Sequence, residues 1–119
     1  MENDIFNLEN RVAIVTGGNG HLGSSISEGL AEAGADVIIT GKNREKIEQI
    51  SNKINQNVSS NVTGKFLDIQ NQDSITKCFQ EIIKENGRID ILVNNASTLP
   101  IGKFEDLSNT EWDDALMGQ

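Results

Sequence analysis

Between Val12 and Ala33 the chain passes from a continuous apolar run, Val12-Ala13-Ile14-Val15, through a turn containing Gly17, Gly20 and Gly23, into a stretch of helical periodicity. No other feature restricts the fold as much. An unbroken apolar run that stops at Thr16-Gly17-Gly18 reads as a strand buried on both faces of a parallel sheet. Glycines at this spacing allow a tight turn, a close approach of bare backbone to a bound diphosphate, and close packing of the next helix on the strand. The amides at the start of that helix then face the negative charge. A turn with a purely structural role would use the same glycines, so the surrounding chain has to decide between the two.

The remainder alternates in the same way. The first helix is expected over about residues 21–33, burying Leu22, Ile26, Leu30 and Ala33 and stopping at Gly34. Val37-Ile38-Ile39 predicts a second buried strand, and residues 44–55 a second helix with Ile47, Ile50 and Ile54 at helical spacing. A polar loop over 56–61 leads to a third strand over 62–67. The third helix, about 72–86, is expected to bury Ile75, Phe79, Ile82 and Ile83 and to stop at Gly87, before a fourth strand over 89–93. Ser108-Asn109-Thr110-Glu111 is a capping box, with Leu107 and Trp112 as its hydrophobic staple, so a fourth helix is expected from Ser108. Alternating strands and helices predict one α/β domain over residues 1–119, a Rossmann-type doubly wound parallel sheet of four strands in the order 3-2-1-4. Ligand should then lie at the carboxyl ends of strands one and four, where the winding reverses. That brings residues 16–23 beside residues 94–97.

Other phosphate-handling α/β designs fit less well. A P-loop needs Gly-Lys-Ser/Thr, and both Gly41-Lys42-Asn43 and Gly64-Lys65-Phe66 lack the hydroxyl. A phospho-receiver domain needs acids at the end of the first strand, where Thr16-Gly17 stand. The net charge of −8 repels phosphate backbones, which argues against nucleic acid or an anionic membrane surface as a partner. An anionic ligand must therefore be held by local devices, such as backbone amides or a placed Lys. The single cysteine, Cys78, has no partner for an internal disulfide and no companion for a metal site. It shares a helical face with Ile75, Phe79 and Ile82 and reads as a core residue. No apolar run approaches the ~20 residues that span a bilayer. Residues 1–9 lack the basic start and apolar stretch of a signal peptide, so a soluble cytoplasmic protein is expected.

Three segments, Thr16-Gly17-Gly18-Asn19-Gly20-His21-Leu22-Gly23, Leu67-Asp68-Ile69 and Ile91-Leu92-Val93-Asn94-Asn95-Ala96-Ser97, resemble in order and spacing the cofactor-binding N-terminal half of the short-chain dehydrogenase/reductase family. The resemblance runs from about Leu8 to Trp112. It implies a nicotinamide dinucleotide held at the turn by Gly17, Asn19, Gly20, His21, Leu22 and Gly23, with Lys42, Asp68, Ile69, Asn95, Ala96 and Ser97 completing the site. It further implies that Asp68 accepts a hydrogen bond from the adenine amino group. Asn94, Asn95 and Ala96 would form the strand-four turn that supports the sheet beside the adenosine. Asp68 can also be read as a cap of the following helix or turn, and Asn94-Asn95 as turn residues without ligand contact. Two departures stand out. The turn has the spacing of the family's extended branch, with His21 where the single-domain branch has glycine, and Ser97 replaces another glycine of that branch. His21 reads as a turn substitution without a catalytic role.

Cofactor choice is commonly set ~20 residues beyond the glycine turn, where an acid holds the ribose 2′-hydroxyl of NAD. This chain has Gly41 there, followed directly by Lys42, and the resemblance implies that a basic residue at that place accompanies NADP, while NAD stays open. The resemblance also implies a reaction on an alcohol/carbonyl pair and a homo-oligomer for a complete member. Its chemistry depends on a Tyr acid/base, normally beyond the fourth strand, and this chain contains no Tyr. No catalytic residue is therefore assigned. The expectation is the truncated front half of an oxidoreductase, inactive alone, with its fourth strand an open edge. The alternative is a non-catalytic dinucleotide-binding module.

Overall fold

The computed structural model describes residues 7–95; the capping box, Trp112, Ala96 and Ser97 lie outside the described residues. Its elements follow in the order β1 (Val12–Thr16), α1 (His21–Glu32), β2 (Asp36–Gly41), α2 (Arg44–Asn55), β3 (Val62–Phe66), α3 (Gln72–Asn86) and β4 (Ile91–Asn94). The strands form one parallel sheet in the order β3-β2-β1-β4, as the alternation of elements predicts. Thr16 registers with Thr40 of β2 and with Asn94 of β4, which aligns the carboxyl ends of three strands.

The apolar runs are apolar because both faces of the sheet are covered. On one face Ala13, Val15, Val37, Ile39 and Val62 pack beneath α1 and α2 through Ala31, Ile47 and Ile54. On the other, Val12, Ile14, Ile38 and Leu67 meet Cys78 and Ile82 of α3. Each fully buried isoleucine, such as Ile14, Ile39 or Ile82, contributes on the order of 1.5–3 kcal/mol of burial free energy. Cys78 is a core residue, as its helical face predicts, and burial pushes its thiol pKa up.

The helix faces differ from the simple apolar pattern. In α1 the buried residues are Gly23, Ser27 and Ala31, while Ile26 and Leu30 flank the contact and Leu22 is 63% exposed. Small residues four apart let the helix axis approach the strands closely, and Ser27 Oγ satisfies itself on Gly23 O at 2.8 Å. Ile83 of α3 is 47% exposed rather than buried, because Cys78 and Ile82 already face the sheet. On the far flank of α3, Glu81 and Glu85 pair with Lys65 of β3. β4 starts two residues later than its apolar run suggests. Ahead of it, Asp90 turns its carboxylate back to the amide of Val12 at 2.9 Å and to Arg88. β3 ends at Phe66, one residue earlier than expected. No helix among the described residues is long and apolar enough to cross a membrane.

Candidate functional site

All three described helices begin at the carboxyl end of the sheet, yet their starts differ. α2 is capped by Asn43, whose Oδ1 accepts from Lys46 N at 3.0 Å, and α3 by Asn71, whose Oδ1 accepts from Ser74 N at 3.0 Å. α1 starts from Gly20, which has no side chain to offer. Among the described residues no acceptor meets the backbone amides of His21, Leu22 and Gly23. A helix start left in this state concentrates donors and the positive end of the helix dipole on the space before it.

The turn that aims those amides is fixed on several sides. Gly17 adopts φ +64°, a left-handed conformation that side chains with a Cβ rarely take. Its carbonyl accepts from Gly20 N at 3.1 Å and from Asn95 Nδ2 at 3.2 Å. Gly18 N donates to Thr40 O at 3.3 Å, tying the turn to β2. Thr16 donates its hydroxyl to Val93 O at 3.2 Å and accepts from Asn95 N at 3.0 Å, tying it to β4. At Gly23 a Cβ would stand 2.8 Å from both Asn95 Nδ2 and Gly18 Cα and would overlap Gly17 O. At Gly18 it would come within 2.6 Å of Ile39 Cγ2.

In front of this turn lies a cleft of about 420 Å³. It is lined by Gly17, Asn19 and Gly20 of the turn, Thr40 to Asn43 at the end of β2, Leu67 to Gln70 after β3, and Asn95 after β4. The sequence-based candidates Gly17, Asn19, Gly20, Lys42, Asp68, Ile69 and Asn95 thus meet at one site. Gly23 does not line the cleft and acts beneath it, as the close contact between helix and turn. His21 and Leu22 have exposed side chains and do not line it. Thr40, Asn43, Leu67 and Gln70 line the cleft as well, although no sequence motif marks them. The strand register could have found Thr40, which lies directly beside Thr16.

Asp68 serves the local turn. Its Oδ1 accepts from Gln70 N at 3.0 Å, and its own amide donates to Ser74 Oγ at 3.0 Å. The capping reading of this residue therefore has a physical basis, and its position on the cleft wall leaves the second carboxylate oxygen with no partner among the described residues. Arg44 turns away from the cleft, with its guanidinium 4.6 Å from the centre of the Phe66 ring. Lys42 is thus the basic side chain on the described cleft wall. Among the described residues no cluster of His, Cys, Asp and Glu could hold a metal ion.

A short chain dehydrogenase family model matches residues 11–117. The chain is 34% identical over 110 residues to the 3-oxoacyl-(acyl-carrier-protein) reductase FabG of Buchnera aphidicola, covering 92% of this chain and 43% of that one. Against the gluconate 5-dehydrogenase of Gluconobacter oxydans it is 32% identical over 113 residues, covering 95% and 44%. Among solved structures, a metagenomic short-chain oxidoreductase in complex with NADP superposes with a TM-score of 0.79 at 28% identity, covering 92% and 50%. A short chain dehydrogenase from Bacillus anthracis superposes with a TM-score of 0.77 at 36% identity, covering 92% and 45%. The chain therefore spans about half the length, or less, of the relatives it matches. An uncapped helix start behind a glycine turn, on a 3-2-1-4 parallel sheet, agrees with the match over residues 11–117: the chain belongs to the short chain dehydrogenase family.

Proposed function

We propose that this chain is the nicotinamide dinucleotide-binding part of an oxidoreductase that interconverts an alcohol and a carbonyl compound, with NADP preferred over NAD. One observation carries the reading: α1 alone among the described helices starts without a side-chain cap, and the Gly20 from which it starts lines a cleft walled by Asn19, Lys42, Asp68 and Asn95. The residues fit a dinucleotide because a Cβ at Gly23 would fill the contact that lets the helix start come up to the turn. The amides of His21, Leu22 and Gly23 would hold the diphosphate, Asp68 and Ile69 the adenine side, and Lys42 a 2′-phosphate, with Ala96 and Ser97 continuing the wall beyond Asn95. Bound there, the cofactor supplies hydride chemistry. The chain's own part is to bind and orient it. Two solved structures similar to this chain, each 28% identical to it, are complexes with NADP, which supports this choice.

The 119 residues contain no Tyr to act as proton donor, so this chain by itself is expected to bind a dinucleotide without turning over a substrate. Calorimetric titration with NADP⁺ and NAD⁺, paired with a cofactor-absorbance assay over a panel of alcohols and carbonyls, separates the possibilities. Binding with no turnover by the 119-residue chain is expected. Absence of binding to either dinucleotide would sink the proposal. Turnover would require a proton donor other than Tyr, with His21 the first to test.

A further inference from the structure

We propose that Asn19 is a specificity-determining residue for the ribose 2′ side of the dinucleotide and acts as a pair with Gly41; this rests on the functional reading above. Gly41 ends β2, at the position where an acid would hold a ribose 2′-hydroxyl. The glycine is not there for its backbone. Among the described glycines only Gly17, Gly34 and Gly87 have positive φ, so residue 41 has a conformation open to side chains. Space is what excludes them. A Cβ at 41 would lie 2.9 Å from Asn19 Oδ1, 3.3 Å from Asn19 Cγ and 3.4 Å from Ile47 Cδ1.

The two neighbours differ in their freedom to yield. Ile47 is held in the core. Asn19 is half-buried, lines the cleft, and makes no hydrogen bond with any described residue. A side chain at 41 must therefore displace Asn19, and the displaced amide moves at the expense of the cleft. One contact thus has two consequences. A neutral amide stands with its Oδ1 over Gly41 where another chain would place an acid, and its Nδ2 remains a donor for a 2′-phosphate on the cleft that Lys42 also lines. An acid installed at 41 must first displace the Asn19 amide, so the preference rests on this contact as well as on charge.

The test is a double-mutant cycle in the full 119-residue chain with Gly41→Ala, Asn19→Ala and both together. Each protein is titrated calorimetrically with NADP⁺ and NAD⁺ and melted thermally. Gly41→Ala is expected to weaken both dinucleotides about tenfold with little change in Tm, a coupling of the size found for side chains in contact. Asn19→Ala is expected to weaken NADP⁺ more than NAD⁺ and so narrow the preference ratio. On the Asn19→Ala background, Gly41→Ala should have no further effect. Additive losses, or a preference ratio unmoved by Asn19→Ala, overturn the pairing while leaving the dinucleotide reading intact. A Gly41→Ala chain that melts far below the parent but binds normally also overturns it, because the contact then serves the fold alone. A parent chain that binds neither dinucleotide overturns both.

Discussion

The two ends of the sheet are built on opposite principles. At the amino end the chain closes its own polar groups. Val12 N donates to Asp90 Oδ2, Arg88 grips the same carboxylate through Nε and Nη2, and Leu8 N donates to Ala33 O at 2.7 Å. Gly34, at φ +106°, lets Glu9 pack directly against its bare Cα. At the carboxyl end, where all the described helices begin, α2 and α3 are closed by Asn43 and Asn71 but α1 is left open behind its glycines. A parallel sheet gathers the positive ends of its helix dipoles on one side. Whether that side binds a ligand depends on which helix starts the chain caps for itself.

The largest effect should come from filling the open start. Gly17→Val places a β-branched residue at φ +64°, and Gly23→Val drives a side chain into Asn95 and the turn. Each should lower dinucleotide affinity by about a hundredfold or more, since the strained turn can no longer present its amides. Gly17→Val should keep most of the helical circular dichroism. Affinity retained in either variant by calorimetry would erase the contrast between the two ends. Next comes charge: Lys42→Asp puts a carboxylate beside a 2′-phosphate and should cost about ten- to hundredfold in NADP affinity, reversing the preference. Equal affinities for NADP and NAD in the parent chain would remove the premise.

A third substitution sharpens the comparison within the carboxyl end. Asn71→Ala removes the cap of α3 and should cost about 1 kcal/mol in urea unfolding while leaving affinity unchanged. A matching loss of affinity would mean that a self-capped start is also part of the site. The smallest effect belongs to the amino end. Hydrogen bonds from Arg88, then from the Val12 amide, hold the Asp90 carboxyl below its usual range. Its contribution is therefore present above the unfolded-state value of about 4 and is lost as pH falls through the lower folded value. Asp90→Asn should flatten the acid limb of stability against pH without touching dinucleotide affinity. An unchanged acid limb would show that the Asp90 pairing carries no stability.

Much of this was legible in the chain because periodicity and turn chemistry are local. Continuous apolar runs marked doubly covered strands, Gly34 and Gly87 marked helix stops, and the strand order followed from the crossover rule. Periodicity puts Leu22 and Ile83 on the buried faces, yet both are exposed, because a periodic pattern cannot tell which apolar side chain meets the sheet and which lies on a flank. Close approach of α1 made Gly23, Ser27 and Ala31 the contact, a ridge of small residues that a hydrophobic pattern underweights. Thr40 reaches the cleft through strand register, and Asn43, Leu67 and Gln70 through the segments that leave β2 and β3 at the same end of the sheet, an arrangement that no single segment encodes.

By itself the sequence determined the alternation of strands and helices, the glycine turn, the absence of an acid at Gly41 with Lys42 beside it, and the absence of Tyr. These depend on residue type and short spacing, and the physics that reads them acts within a few residues. Only the tertiary structure decided that Asn95 would hold the carbonyl of Gly17, 78 residues away in the chain, and that Asn19 would stand over Gly41. Both meetings depend on how the parallel strands register and how closely α1 settles on them. That outcome is set by packing across the whole sheet, which no local run of residues contains.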